Sequence, residues 1–114
     1  MVKRGESGEA ELKQWWTDVA SEDSDAVVPK AIEYGSRDLE EMGHSLARVA
    51  DRVVTRGEAQ ELGCWFYALG KMARWTAAVE RGESVSLDTL IDLGTYITMV
   101  RRIRDIGYWP GTEL

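Results

Sequence analysis

EAQELGCWFYALGKMARWTAAVER, residues 58–81, is the stretch that decides the fold of this chain. Apolar side chains recur in it at intervals of three and four, which is the period of an α-helix. The chain breaks before it at Thr55–Gly57, and Gly82 is a natural C-terminal stop. The sequence therefore predicts a long helix with one buried face. That face comprises Leu62, Trp65, Phe66, Leu69, Met72, Ala73 and Thr76.

Helical patterns also precede this run. One short helix is expected over residues 10–20, followed by an acidic turn at residues 21–25. A second short helix is expected from Asp25 to Gly35, with Pro29 in its first turn. Ser36 would cap a longer helix. The buried stripe of that helix is expected to comprise Leu39, Met42, Leu46, Val49 and Val53.

The last helix is expected to start at Ser84 or Ser86, run to about Ile106 and end at Gly107. No strand-like alternation lasts more than a few residues. The expected fold class is thus all-α, a small bundle of about four to five helices. Five tryptophans in so short a chain suggest more apolar surface than one bundle hides, which favours an oligomer.

Length and composition set the outer limits. The 114 residues correspond to one domain, with a flexible N-terminus over residues 1–9 and a single helical domain over residues 10–114. The net charge of −6 argues against a nucleic-acid partner. Cys64 is the only cysteine, which suggests a reducing compartment. With neither a signal peptide nor an apolar run long enough for a membrane span, the expected location is the cytoplasm.

Two pairs of carboxylates are the most informative chemical feature. Glu58 and Glu61 are three residues apart, and Asp88 and Asp92 are four apart, so each pair shares one helical face. If the two helices packed side by side, all four groups could converge. Converging carboxylates repel unless a cation joins them, and hard oxygen ligands suit Mg²⁺. Either pair alone is also what an ordinary helix N-terminus carries, because acidic side chains complement the helix dipole there.

The run ESVSLDTLIDLGTY, residues 83–96, resembles the metal helix of the MazG-like, all-α nucleotide pyrophosphohydrolase superfamily. Its pattern is Glu-x-x-Glu followed, after a gap of about two dozen residues, by Glu-x-x-Asp. Glu58 and Glu61 match the first half, and Asp92 matches the final Asp. KAIEYGS, residues 30–36, is similar to a further segment of the small members. The likeness extends from about Pro29 to Pro110 and is closest to short versions in bacteriophage genomes.

The resemblance implies an activity. Members use Mg²⁺ to hydrolyse nucleoside triphosphates, with ribose or deoxyribose, to monophosphate and pyrophosphate, and they are usually homodimers or homotetramers. Glu58, Glu61, Asp88 and Asp92 would bind the metal, and Glu58 or Glu61 would accept the proton of the attacking water. The chain departs from the pattern at Thr89, where the superfamily has Glu. Asp88, one residue earlier, is the expected substitute.

Four further residues are candidate substrate ligands. Lys71 and Arg74 would hold phosphates, as basic residues commonly do in the superfamily; the alternative is a solvated helix face. Tyr34 and Tyr96 would stack on a base; the alternative is a core or subunit-interface role. Two other functions also stay open. Thr89 would signal lost catalysis if the chain only binds a nucleotide or a signalling molecule, and a purely structural oligomer would need no ligand.

Overall fold

The computed structural model describes residues 4–34 and 37–110. Over those residues it contains four helices and no strand: α1 (Arg4–Tyr34), α2 (Arg37–Val49), α3 (Arg56–Glu80) and α4 (Leu87–Ile106). The all-α prediction is confirmed. No helix in these two ranges is both long and apolar enough to cross a membrane.

The N-terminal third differs from its prediction. In place of two short helices separated at residues 21–25, α1 is one helix of 31 residues that contains Pro29. The predicted turn consists of serine and acidic residues with neither Gly nor Pro, so nothing in it prevents helical backbone dihedrals. The helix also begins at Arg4, inside the segment that composition predicts to be flexible.

Two glycines let α2 and α3 approach each other closely. A Cβ on Gly43 would collide with the backbone carbonyl of Ala59, and a Cβ on Gly63 would collide with that of Leu39. Gly43, Gly63, Ala59 and Leu39 are all buried at this contact. The close approach of α2 and α3 thus depends on the missing side chains of Gly43 and Gly63.

Helices α3 and α4 form an antiparallel hairpin, and their ends are fixed by side chains and glycine. Thr55 is the N-cap of α3 and forms a capping box with Glu58, while Ser86 caps α4 by accepting from the Thr89 amide. Gly107 ends α4 in the left-handed conformation with φ of 96°, as predicted. The buried apolar cluster consists of Ala31, Leu39, Cys64, Tyr96, Met99 and Ile103.

The C-terminal turn is fastened to this core by Gln60. The Gln60 side chain is fully buried; its amide nitrogen donates to the Trp109 carbonyl and its oxygen accepts from the Trp109 amide, each at 2.7 Å. The Trp109 indole in turn donates to the Ala31 carbonyl at 2.8 Å. These three bonds join α1, α3 and the turn after α4.

Much of the predicted core lies on the surface. Of the predicted α2 stripe, Val49, the last residue of the helix, and Val53, beyond its end, are exposed. Most of the predicted α3 face is exposed as well: Trp65, Phe66, Leu69, Met72, Ala73 and Thr76. The predicted core role of these side chains is wrong for a single chain. Periodicity specifies only that these side chains share a helical face; it does not specify what covers that face.

Candidate functional site

An ion pair between α3 and α4 is the most enclosed charged contact of the candidate residues. Lys71 Nζ lies 3.0 Å from Asp92 Oδ2, and the two side chains are only 19% and 14% exposed. Lys71 comes from the middle of α3 and Asp92 from the second turn of α4, so the hairpin itself sets their distance. The pair unites a predicted phosphate ligand with a predicted metal ligand.

Tyr96 follows Asp92 by one helical turn and is largely buried. Its ring stacks on that of Tyr67 with centroids 6.0 Å apart and an interplanar angle of 14°. This contact matches the core alternative for Tyr96. Arg74, three residues after Lys71, is exposed. Tyr34 is the last residue of α1, and its side chain lies outside the described residues.

The first carboxylate pair has partners of its own. Glu58 Oε1 accepts from the Thr55 amide at 3.3 Å in the capping box. Glu61 Oε1 accepts from Arg104 Nε at 2.7 Å, and this bond raises the pKa of the Arg104 guanidinium. Glu58 thus caps the start of α3, and Glu61 forms an ion pair between α3 and α4. Both are ordinary structural roles for a carboxylate.

The second pair lies at the start of α4. Asp88 is exposed in the first turn of the helix. Thr89, which occupies the position of the superfamily's Glu, is buried, and its hydroxyl lies 2.9 Å from that of Ser86. Thr89 therefore belongs to the cap of α4, and Asp88 is the acidic group that this turn presents to solvent.

Within one chain the two carboxylate pairs do not converge. Because α3 and α4 are antiparallel, Arg104 lies beside Glu61 whereas Asp92 lies beside Lys71. Glu61 and Lys71 are ten residues apart, which corresponds to about 15 Å along a helix. Among the described residues no three Asp, Glu, His or Cys side chains are grouped closely enough to hold a metal ion. The expected convergence thus fails because side-by-side packing brings opposite helix ends together.

A four-carboxylate Mg²⁺ site therefore does not fit a single chain. A smaller set does fit the chemistry of the ion. Mg²⁺ is commonly held by one or two carboxylates together with substrate phosphates, with waters completing the shell. Asp88 and Asp92 share a helical face and are the residues that would supply such ligands.

An apolar groove between α3 and α4 is the site feature that sequence reasoning missed. Its volume is about 650 Å³. Its lining includes Leu62, Trp65, Ala68, Ile97, Val100 and Arg101. The apolar stripe of α3 is its sequence signal, but an apolar groove and a buried core have the same periodicity, so the pattern does not distinguish them.

Comparison with known proteins identifies no relative. No protein-family model matches the chain, and neither a curated protein nor a solved structure matches it significantly. The likeness to the pyrophosphohydrolase superfamily therefore rests on the motifs in residues 30–36, 58–61 and 83–96.

Proposed function

We propose that this chain is a nucleotide pyrophosphohydrolase that uses Mg²⁺ to cleave a nucleoside triphosphate to monophosphate and pyrophosphate. The observation that carries the proposal is the Lys71–Asp92 pair, because it joins Asp92, from the segment that resembles the superfamily's metal helix, to Lys71, a candidate phosphate ligand. In a complex of phosphate and metal ion, the Lys71 ammonium would bind a phosphate oxygen and the Asp92 carboxylate would bind the metal ion.

In this proposal the basic residues bind phosphate and the acidic residues bind the metal ion. The Lys71 ammonium would donate to a phosphate oxygen, and the exposed Arg74 guanidinium would reach outer phosphates from the next turn of α3. Asp88 and Asp92 would hold the metal ion, which when bound neutralises charge on the phosphates. In the absence of ligand, Lys71 offsets the charge of Asp92, so the carboxylate is held in position before the substrate arrives.

A binding protein without catalysis is the second candidate, and one observation favours it. Glu58 and Glu61, the predicted proton acceptors, lie near the opposite end of the hairpin and have structural partners. A chain that retained only Lys71, Asp88 and Asp92 at one end would bind a phosphorylated ligand without a base to activate water.

The experiment is a panel of ribo- and deoxyribonucleoside triphosphates incubated with the protein, with and without Mg²⁺, and products identified by mass. Monophosphate and pyrophosphate that appear only with Mg²⁺ would support the enzyme. Asp92→Asn should then reduce turnover at least ~100-fold, the scale of losing a major electrostatic contact in the transition state. Asp105→Asn is the matched control, because Asp105 is a solvent-exposed carboxylate on the same helix that pairs with Arg102.

The outcomes separate the candidates. Wild-type turnover that survives in Asp92→Asn would remove Asp92 from the site. Calorimetric binding of a triphosphate without any product would favour the binding protein. Neither binding nor turnover across the panel would leave a structural role for the chain.

A further inference from the structure

The N-terminal half of α1 has no cover in a single chain. Between residues 8 and 26 every side chain is exposed except Val19 and Asp23, which are half-buried. Leu12, Trp15 and Trp16 are 58%, 58% and 67% exposed. We call residues 8–23 of α1 the arm. Large apolar side chains at helical spacing on one element are unusual on a monomer and mark an interaction surface.

The shape of the molecule agrees with a projecting arm. The radius of gyration is 17.3 Å, and the longest dimension is 61 Å against a shortest of 23 Å. A compact domain of this length would have a radius of gyration of about 13 Å. Helix α1 is anchored to the body near its C-terminal end, where Ala31 is buried and accepts the Trp109 indole bond.

The groove between α3 and α4 is the second uncovered surface, and its chemistry complements that of the arm. The exposed side chains Trp65 and Ile97 border the groove, and Arg101 and Arg104 also line it. The arm carries five carboxylates and one lysine, whereas residues 94–106 of α4 carry three arginines and one aspartate. The arm thus has an apolar stripe with acidic flanks, and the groove is apolar with Arg101 at its edge, where Arg104 is paired with Glu61.

We propose that the arm of one chain binds in the groove of a second copy of this chain, and that the exchange is reciprocal. The arm and groove of the same chain are both exposed and do not cover each other. Reaching its own groove would require a break in α1, which is continuous from Arg4 to Tyr34. A two-fold axis allows each copy to satisfy the other with the same contact made twice.

The available area is sufficient for a specific dimer. A buried aromatic side chain removes roughly 150–250 Å² from solvent. Two tryptophans of this exposure on each arm, with comparable area from the groove side, give on the order of 1,200 Å² for two exchanged arms. This lies at the lower limit of stable specific interfaces, which bury about 1,200–2,000 Å².

Arm and groove variants should each abolish dimerisation. The arm variant is Trp15→Glu with Trp16→Glu, and the groove variant is Ile97→Glu. Sedimentation equilibrium should give twice 12.8 kDa for the wild type and 12.8 kDa for either variant at the same concentration. Self-association should weaken on the order of 100-fold or more, as when interface tryptophans are lost. Val28→Glu and Ile106→Glu are matched controls, because both residues are exposed on the same helices outside the arm and groove.

A mixing experiment tests the reciprocal contact itself. An arm variant has an intact groove, and a groove variant has an intact arm, so an equimolar mixture keeps one of the two contacts and should associate more strongly than either variant alone. Dimer in the mixture but in neither component would support the exchange. A mixture that associates no more strongly than either variant alone would overturn it, as would a wild type that stays monomeric at millimolar concentration or equal disruption by the controls.

Cross-linking gives a readout that does not depend on charged variants folding. Leu12→Cys and Ile97→Cys chains, mixed and oxidised, should form a disulfide-linked heterodimer identified by mass, because each cysteine replaces an exposed side chain at the proposed contact. Val28→Cys mixed with Ile97→Cys is the control. Equal cross-linking in both mixtures would contradict the arm–groove contact.

Discussion

Lys71 and Asp92 form an ion pair of 3.0 Å across the α3–α4 hairpin, with both side chains mostly removed from solvent. Such a pair is compatible with two roles. It could hold the helices together, or it could position a cation and an anion for a ligand. Enclosed ion pairs contribute little net stability compared with apolar replacements of similar volume, but loss of one partner is costly. The roles are separable by experiment.

Exchanging the two charges should preserve the fold and abolish turnover. In Lys71→Asp with Asp92→Lys, the pair can re-form between the helices, so the melting temperature should recover most of what Asp92→Asn loses. Hydrolysis should not recover, because the carboxylate then lies on α3, away from Asp88. Thermal unfolding and pyrophosphate release on the same samples are the measurements. Recovery of both would show that the pair serves the fold alone.

The two hydrogen bonds between the Gln60 side chain and the Trp109 backbone should contribute strongly to the free energy of unfolding. Gln60→Leu keeps the volume but leaves both the amide and the carbonyl of Trp109 without their partners. Each unsatisfied polar group costs about 1–3 kcal/mol when buried, and Trp109 is half-buried, so a loss of about 2 kcal/mol is expected. Gln14→Leu is the control, because the Gln14 side chain donates to Asp18 on the exposed surface of α1. Urea unfolding would measure the free energy of unfolding of both variants. Equal losses would contradict a stabilising role for the two Gln60–Trp109 bonds.

Two glycine-to-alanine substitutions should have opposite signs. Gly43→Ala should destabilise the chain by several kcal/mol, because the new Cβ meets the Ala59 carbonyl and backbone cannot move aside easily. Gly70→Ala, inside α3 with open space around it, should stabilise by about 0.5–1 kcal/mol through lower backbone entropy. Chemical denaturation of the two variants and the wild type tests the contact. Similar small effects at both positions would mean that α2 and α3 are not packed closely.

The sequence predicted the ends of helices better than it predicted which apolar side chains are buried. The predicted break at Thr55–Gly57 contains the N-cap Thr55, although α3 already begins at Arg56. Ser86, one of two candidate caps, and Gly107 bound α4 in the structure, because a cap depends on a few neighbouring residues. The solvent exposure of Trp65 was not predictable in this way. A tryptophan at helical spacing fits a core, a groove or a subunit interface equally well, and only the arrangement of other elements decides among them.

At the candidate site, too, the local features were predictable and the arrangement of the helices was not. Spacing correctly indicated that Asp88 and Asp92 share the first turns of one helix and Glu58 and Glu61 those of another. Whether the two turns meet depends on helix direction, which spacing does not encode. The six-residue connection between α3 and α4 makes them antiparallel, and the two acidic helix starts are consequently at different ends of the hairpin.

Cys64 should make stability fall at alkaline pH. Burial, followed by the nearby Glu61 carboxylate, raises the pKa of its thiol from 9.0 to about 12. The folded state therefore holds the proton between these values while the unfolded state releases it, so the contribution is fully present below pH 9 and is lost as pH rises towards 12. Tyrosines and lysines also titrate in this range, so the comparison is between wild type and Cys64→Ala. The free energy of unfolding should decline more steeply from pH 8 to 10.5 in the wild type, whatever the offset between the two at pH 8.

An aromatic disulfide reagent should label the native Cys64 thiol slowly and the urea-unfolded thiol at once, since labelling requires both a thiolate and access to it. Parallel pH profiles, or rapid labelling of the folded chain, would mean that the Cys64 thiol is not enclosed by α3 and α4.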